Sequence, residues 1–399
     1  MDKKETGALI ANFIGLENHS ERMLGSLSAL IGSNLVSWPQ LGSTALLNGS
    51  ALTYAVRRIT NGNHLTSGRV SFSLDDLFGQ ESDVQMNRKR ETPNTARAPV
   101  RHLNISREVE EILDAARFAP SADNTQPWRV VIENESTFLL YHVPERDMTP
   151  YDSGQRTSFM SHGAFIENLC IAAARQGKHA AYALETPSSI NKWLVARITL
   201  QNAKDNLNTN SKVLYEAIFK RRTNRKPYRK EKLSDIVKQH LLTAAQDLGW
   251  GEIKILDYPQ PKVAAAAALS GQIMFQNLAV HKGLFEHIRW STEEAERTKD
   301  GFLIDTFELP YPAKLVFKLA QSTDRLAFLN RTVKLAENIP TGMQDLYEQS
   351  GAFIGLISDK KEFSDYLMLG RLMQRIWLQG TIDNIYLQPI GAICFFKDM

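Results

Sequence analysis

Apolar and polar positions are arranged in three different ways along the chain. Up to about Gln80 they give isolated elements. Ala45 to Ile59 has helical spacing, Asn61-Gly62-Asn63 stops it, and Arg69 to Leu74 alternates as a strand does. Glu81 to Asn104 is polar and basic with no apolar period, the pattern of a linker. From Ile105 onward the chain is dense in structure. Ser106 fits a helix N-cap, with Val109, Ile112, Leu113 and Ala116 on one face and Pro120 beyond the end. Trp128 to Glu133 and Thr137 to Val143 read as a strand hairpin. Gly163 to Gln176 is an apolar helix with Gly177 as a C-cap candidate, and Trp193 to Leu200 is a further strand. Leu214 to Lys220 opens a new unit. It is followed by predicted helices at Ser234–Leu248, Lys262–His281 and Phe363–Thr381, and by strands at Ile253–Asp257 and Ala352–Ser358. Helices and strands mixed in this order predict an α+β class.

Composition narrows the function. The formal charge is only +3 and the charged fraction is 23%, which argues against a polybasic nucleic-acid binder. The two cysteines, Cys170 and Cys394, sit in no metal-ligand or disulfide spacing. That fits a reducing, cytoplasmic setting. Met1 to Leu9 lacks a signal-type apolar core, and no apolar stretch is long enough to span a bilayer, so no membrane partner is expected. Neither a GxGxxG nor a Walker-type loop occurs.

Three short stretches bear chemistry. Ala119-Pro120-Ser121-Ala122-Asp123-Asn124-Thr125-Gln126-Pro127-Trp128 is a helix stop, a polar loop and a strand start. Its hydroxyl and amide side chains can serve a planar polar ligand, although alone it also reads as a capped loop. Lys220-Arg221-Arg222-Thr223-Asn224-Arg225-Lys226-Pro227-Tyr228 places 221, 223 and 225 on one side if extended. Arginine forks there would suit a phosphate, and a solvated basic loop is the plain alternative. Leu387-Gln388-Pro389-Ile390-Gly391 is by itself only a turn.

Taken together, these stretches resemble the nitroreductase family of FMN-dependent oxidoreductases, over roughly Ile105 to Gly391. The resemblance implies an FMN held by Arg221, Thr223 and Arg225 at its phosphate and ribityl chain. It implies that Pro120, Ser121, Asn124 and Gln126 lie over the same flavin, and that Pro389, Ile390 and Gly391 lie beside the ring. No catalytic side chain is implied. His162 reads as a capping or packing residue and Cys170 as inert core.

In the family the arginine element precedes the Pro-Ser-Asn loop, whereas here it follows by about a hundred residues. A duplication accounts for the inversion. With Ser234 placed over Ser106, residues Thr223, Arg225, Pro227 and Arg229 fall on Thr95, Arg97, Pro99 and Arg101. Asp247-Leu248-Gly249 falls where the first copy has Ala119-Pro120-Ser121. Each half has lost what the other keeps. Gly163 to Leu169 resembles Gly370 to Leu378, the pair of helices expected at the centre of a pseudo-dimer. The layout is close to the internally duplicated, Acg-like subgroup. Trp290 to Gly301 resembles the part of that subgroup that forms a lid over the flavin. The expected organisation is therefore 1–80, 81–104 as linker, 105–211 as the first nitroreductase-like half and 212–399 as the second. Trp38 to Leu77 resembles the tail of a ThiF/E1-type domain. Residues 1–80 would then be a remnant of one, or the chain would be incomplete.

The function these resemblances imply is NAD(P)H-dependent, ping-pong hydride transfer through FMN to a nitroaromatic, a quinone or a similar small acceptor. The molecule would be a pseudo-dimeric monomer or a homodimer. Alternatives are a flavin-sequestering protein with little turnover, a tailoring dehydrogenase acting with a ThiF-type partner, or an interaction domain without flavin.

Overall fold

In a computed structural model, the described residues are 60, 105–147, 152, 154–203, 210–358 and 360–396. The chain divides into two compact units, Met1–Lys89 and Arg90–Met399, and all of these residues except Thr60 lie in the second. Apart from Thr60, the expected remnant, the linker and the arginine-element copy at 95–101 lie outside the described residues.

Helix α1 (Arg107–Ala116) starts where Ser106 Oγ accepts from the Val109 N–H. It buries Val109, Ile112, Ala115 and Ala116. Strands β1 (Trp128–Asn134) and β2 (Thr137–His142) form the expected hairpin. Helix α2 (Arg156–Arg175) begins seven residues before the expected Gly163, so that glycine lies mid-helix. It is buried nearly all round, which marks a core helix rather than a surface one. β3 (Lys178–Leu184), which sequence reasoning missed, and β4 (Leu194–Asn202) complete an antiparallel sheet of order β1-β2-β4-β3. Phe138, Leu140, Phe165, Ile166, Leu169 and Ile198 fill the space between sheet and helices, each contributing about 1.5–3 kcal/mol by burial.

After α3 (Asn210–Lys220) comes α4 (Asp235–Gln246), where Ser234 Oγ accepts from Val237 N–H. The cap repeats that of Ser106, with φ/ψ of −65/153 against −63/152. β5 (Glu252–Asp257) pairs antiparallel with β8 (Ala352–Ile357). Between them lies an insertion of α5 (Pro261–Gln276), α6 (Leu278–Glu286), β6 (Ile288–Arg289), α7 (Thr292–Thr298), β7 (Phe302–Leu303), α8 (Tyr311–Ala320), α9 (Thr323–Val333) and α10 (Leu335–Tyr347). The expected continuous helix Lys262–His281 is broken at Asn277. Its Oδ1 accepts from Ala279 and Val280 N–H and starts a second helix, bent by 92° from the first. Phe275, Phe285, Ile288 and Leu326 give the insertion its own core. Among the described residues, no single helix is long and apolar enough to cross a membrane.

α11 (Phe363–Ile382) packs along α2, and α12 (Ala392–Phe396) closes the described chain. The α2/α11 crossing is reciprocal. A Cβ on Gly163 would lie 1.8 Å from Leu367 O, and one on Gly370 would lie 1.9 Å from Met160 O. Gly163 and Gly370 are each the eighth residue of a 20-residue helix. Beside the crossing, the buried Glu167 carboxylate pairs with Arg371 at 2.8 Å and Arg375 at 2.5 Å, and Gln374 donates to Asn168 at 2.7 Å.

Candidate functional site

The arginine element follows α3. Asn224 N–H donates to Leu387 O at 3.1 Å, and Thr223 forms a parallel bridge with Leu387. These bonds lay the arginine element along the late turn, so two of the three stretches read from the sequence are neighbours. The Arg221 guanidinium stacks over the Trp377 ring at 4.4 Å. Burial pushes its pKa down to about 10, and among the described residues its Nε has no hydrogen-bond partner. Two more buried polar atoms in this corner, Trp377 Nε1 and Gln388 Oε1, are also without partners. Uncompensated buried polar groups are costly, so a cluster of them marks a place built for a polar ligand. Sequence reasoning did not single out Trp377 or Gln388. Trp377 carried only a helix-core signal and Gln388 no signal beyond its turn.

The other loop runs from the end of α1 to β1. Asp123, Asn124 and Gln126 all have φ near +50°, a left-handed conformation that non-glycine residues adopt at a cost. Ser121 Oγ accepts from Gln126 N–H at 3.0 Å, which holds the turn. Arg146, on a 3-10 turn after β2, donates to Gln126 O at 2.8 Å and pins the loop from the side. No sequence signal distinguished Arg146. Ser121, Asn124 and Gln126 hydrogen-bond within the protein: Asn124 Nδ2 donates to Gly301 O at 3.1 Å and Gln126 Nε2 to Lys299 O at 2.7 Å.

Those carbonyls belong to the insertion, in a segment fixed by Arg289. Its guanidinium is buried against Asp300 at 2.6 Å and Thr298 Oγ1 at 2.9 Å. Gly301 has φ +72°, and a Cβ there would meet His287 O at 2.4 Å, so no other residue fits without a shift. Arg225 reaches the same segment from the opposite element. It donates to Thr306 O at 3.1 Å and lies over Phe302 and Phe307 at 5.2 and 5.5 Å. Burial lowers its pKa while the charge of Asp123 raises it. The Asp123 carboxyl is pushed up, first by burial, and is offset by His287 at 3.9 Å and by Arg225. The Pro-Ser-Asn loop and the arginine element thus meet under one strap, residues 299–307. Of the remaining residues read from the sequence, Pro120 is half-buried at the head of the loop, and Pro389 stands exposed. Gly391 O accepts from Cys394 N–H, and Ile390 packs near Tyr347, Met343 and Phe353.

His162 and Cys170, expected as packing residues, lie at the core. His162 lies in the second turn of α2, not at its start. It is fully buried and bonded through Nε2 to His142 Nδ1 at 3.0 Å, while His142 Nε2 meets Gln155 Oε1 at 2.6 Å. If Gln155 accepts from His142 Nε2–H, His142 Nδ1 must accept from His162, and both rings are neutral. Cys170 is half-buried against the core, and desolvation pushes its thiol up to about 11, too high for a nucleophile at neutral pH.

The fold and this corner define a mixed helix-and-sheet protein with a buried polar corner suited to an anionic ligand. The nitroreductase family model matches residues 106–143, from the α1 cap through the Pro-Ser-Asn loop to the end of the hairpin. Among relatives, the chain is 24% identical over 277 residues to acg of Mycobacterium tuberculosis, covering 69% of this chain and 78% of that one. It is 22% identical over 307 residues to PigM of a Serratia species, covering 71% and 80%. Both bear provisional names as NAD(P)H nitroreductases. An uncharacterized M. tuberculosis protein, MT1398, is 22% identical over 97% of this chain, which spans only 53% of that protein's length. At these identities the findings are likenesses to the nitroreductase family and to proteins named as NAD(P)H nitroreductases.

Proposed function

We propose that the chain binds one FMN in the corner between Arg221 and the Pro-Ser-Asn loop. On this reading it acts as an NAD(P)H-dependent oxidoreductase, taking a nitroaromatic, a quinone or a similar electron-poor molecule as acceptor in ping-pong fashion. The observation that carries the proposal is Arg221, a desolvated guanidinium stacked on Trp377, with a partnerless Nε and no carboxylate bonded to it among the described residues. A fixed cation in that state calls for an anion, and a phosphate monoester suits a guanidinium fork. FMN, when bound, supplies the hydride chemistry.

The chain's own residues bind and orient. Arg221 would neutralise the phosphate, and Thr223, held in register by Leu387, would offer its hydroxyl. Pro120, Ser121, Asn124 and Gln126 would form one wall, with Pro389, Ile390 and Gly391 opposite. Arg225 adds positive charge while tying the strap down. The reading also takes the chain as internally duplicated. The matching Ser106 and Ser234 caps, the repeated helix–strand–strand–helix order and the reciprocal glycine crossing support that.

A second reading, flavin sequestration with little turnover, is favoured by the bonds of Asn124, Gln126 and Arg225 to residues 299–306, which hold the strap closed. Two measurements on the full chain separate the readings. Visible absorption of the purified protein, with the released chromophore identified, reports bound FMN. Steady-state NADPH oxidation with a nitroaromatic acceptor reports turnover. FMN with turnover supports the first reading, and FMN without turnover supports the second. No flavin after reconstitution refutes both.

A further inference from the structure

The insertion carries an apolar face that its own core does not use. Inward, Phe317 and Ala320 of α8 and Leu326 and Leu329 of α9 pack with Phe275 and Phe285. Outward, Tyr311, Leu315 and Leu319 recur every four residues along α8, and four-residue spacing places side chains on one helix face. On α9, Phe328 and Val333 are also exposed, and Tyr311 and Phe328 reach 77% and 64%. Side chains this exposed add little to the insertion's stability, and exposed apolar side chains lined up on one helix face mark an interaction site.

The charge on the same two helices identifies the partner. Residues 311–334 hold five cationic side chains against the single carboxylate of Asp324. Lys314 bonds Asp305 and Lys334 reaches Glu337. Lys318, Arg325 and Arg331 are exposed and pair with no carboxylate among the described residues. Lys318 lies between Leu315 and Leu319 on the outward face of α8. A second copy of this face would oppose cation to cation, which weighs against self-association through it. Two short amphipathic helices presenting Tyr, Leu and Phe outward among basic side chains have the chemistry of a bilayer interface, where the rings enter the headgroup region and the cations meet anionic lipid.

We infer that α8 and α9 dock the protein peripherally on an anionic membrane surface. The expectation of no membrane partner rested on the lack of a spanning stretch, and peripheral docking needs none.

The test is flotation of the full chain with vesicles of equal parts phosphatidylcholine and phosphatidylglycerol, against vesicles of phosphatidylcholine alone. Binding is expected to the mixed vesicles only, and to fall as salt screens the charges. Each basic side chain contributes roughly five-fold to partitioning at low salt. The variant Lys318→Glu/Arg325→Glu/Arg331→Glu is therefore expected to lose binding by more than about a hundred-fold. Leu315→Ser/Phe328→Ser should release the protein while circular dichroism and thermal unfolding stay unchanged, since both side chains face solvent. Failure to float with either vesicle at low salt overturns the inference, as does equal binding to both. So does a dimer in sedimentation velocity that Leu315→Ser/Phe328→Ser abolishes, because a second copy would then occupy the face.

Discussion

Arg221→Met is expected to raise the stability of the flavin-free protein and lower that of the loaded one. Burial holds the folded guanidinium well below its ordinary pKa, at about 10. A base whose pKa is lowered by folding destabilises the fold at every pH below the lowered value, and the penalty fades only between about 10 and its ordinary value. At pH 7 it is therefore fully present, at roughly 3 kcal/mol. Methionine keeps an unbranched apolar side chain against Trp377 but forfeits the cation–π contact, worth about 0.5–2 kcal/mol. The net gain for the flavin-free variant is about 1–2.5 kcal/mol, a rise in melting temperature of a few degrees. With FMN present the order inverts. Losing a charge-assisted fork costs about 1.5–3 kcal/mol, so the variant should bind FMN ten- to a hundred-fold more weakly. Wild-type protein alone then gains the full ligand stabilisation. Thermal unfolding of both proteins with and without FMN, with fluorescence titration of FMN, reads both halves. A flavin-free variant that melts lower while binding FMN normally would refute the assignment of Arg221 as an uncompensated anion anchor.

Three further outcomes follow from the same structure. Gly163→Ala or Gly370→Ala drives a Cβ into Leu367 O or Met160 O; each should cost more than about 3 kcal/mol in denaturant unfolding, since backbone cannot yield as a side chain can. Arg225→Ala removes the Thr306 bond and the contacts with Phe302 and Phe307, so proteolysis within 299–307 should speed up, and any bound flavin should exchange about ten-fold faster or more. Burial holds His142 below its usual range and His162 well below it. Both stay neutral in the fold while the unfolded chain takes up protons below about pH 6.5, so stability should decline as pH falls through that value. His162→Gln, which can still donate to His142, should make the decline shallower in unfolding midpoints measured between about pH 7.5 and 5.

How much the sequence revealed depended on the range of the signal. The caps at Ser106 and Ser234, the Trp128–His142 hairpin and the 363–382 helix carry local signals in cap chemistry and periodicity, and each lies within a residue or two of its expected place. The start of α2 was misplaced because Arg156 to His162 is polar. Ser158, Ser161 and His162 are nonetheless buried, by tertiary partners such as Asp147, which accepts from Ser158 Oγ at 2.5 Å. β3 was missed because Lys178 to Leu184 is rich in alanine and gains its strand character from pairing with β4. At the site, motif chemistry pointed to Arg221 and to the Pro-Ser-Asn loop. That Arg225, Asn124 and Gln126 spend their bonds on residues 299–306 is a contact across more than eighty positions, and no local pattern encodes it.

The two halves differ where the proposed duplication needs them to. In the first half, residues 117–127 join α1 to β1 and contain the whole Pro-Ser-Asn loop. In the second, residues 247–251 join α4 to β5, too few to form such a loop. The first half turns from β1 to β2 through Glu135 and Ser136, whereas the second opens the equivalent turn and places α5 to α10 within it. The strap comes from that insertion, yet its bonds go to Asn124 and Gln126 of the first half and to Arg225 near the start of the second. A homodimer must duplicate every such change at two sites. A fused pair need not, so one half can lose its loop while the other gains a strap, with both changes converging on a single corner. Shortening 117–127 to the length of 247–251 should then abolish FMN binding while leaving the α2/α11 crossing intact. If flavin stayed bound at unit stoichiometry in that variant, the loop would have no part in holding it, and the one-corner account would fail.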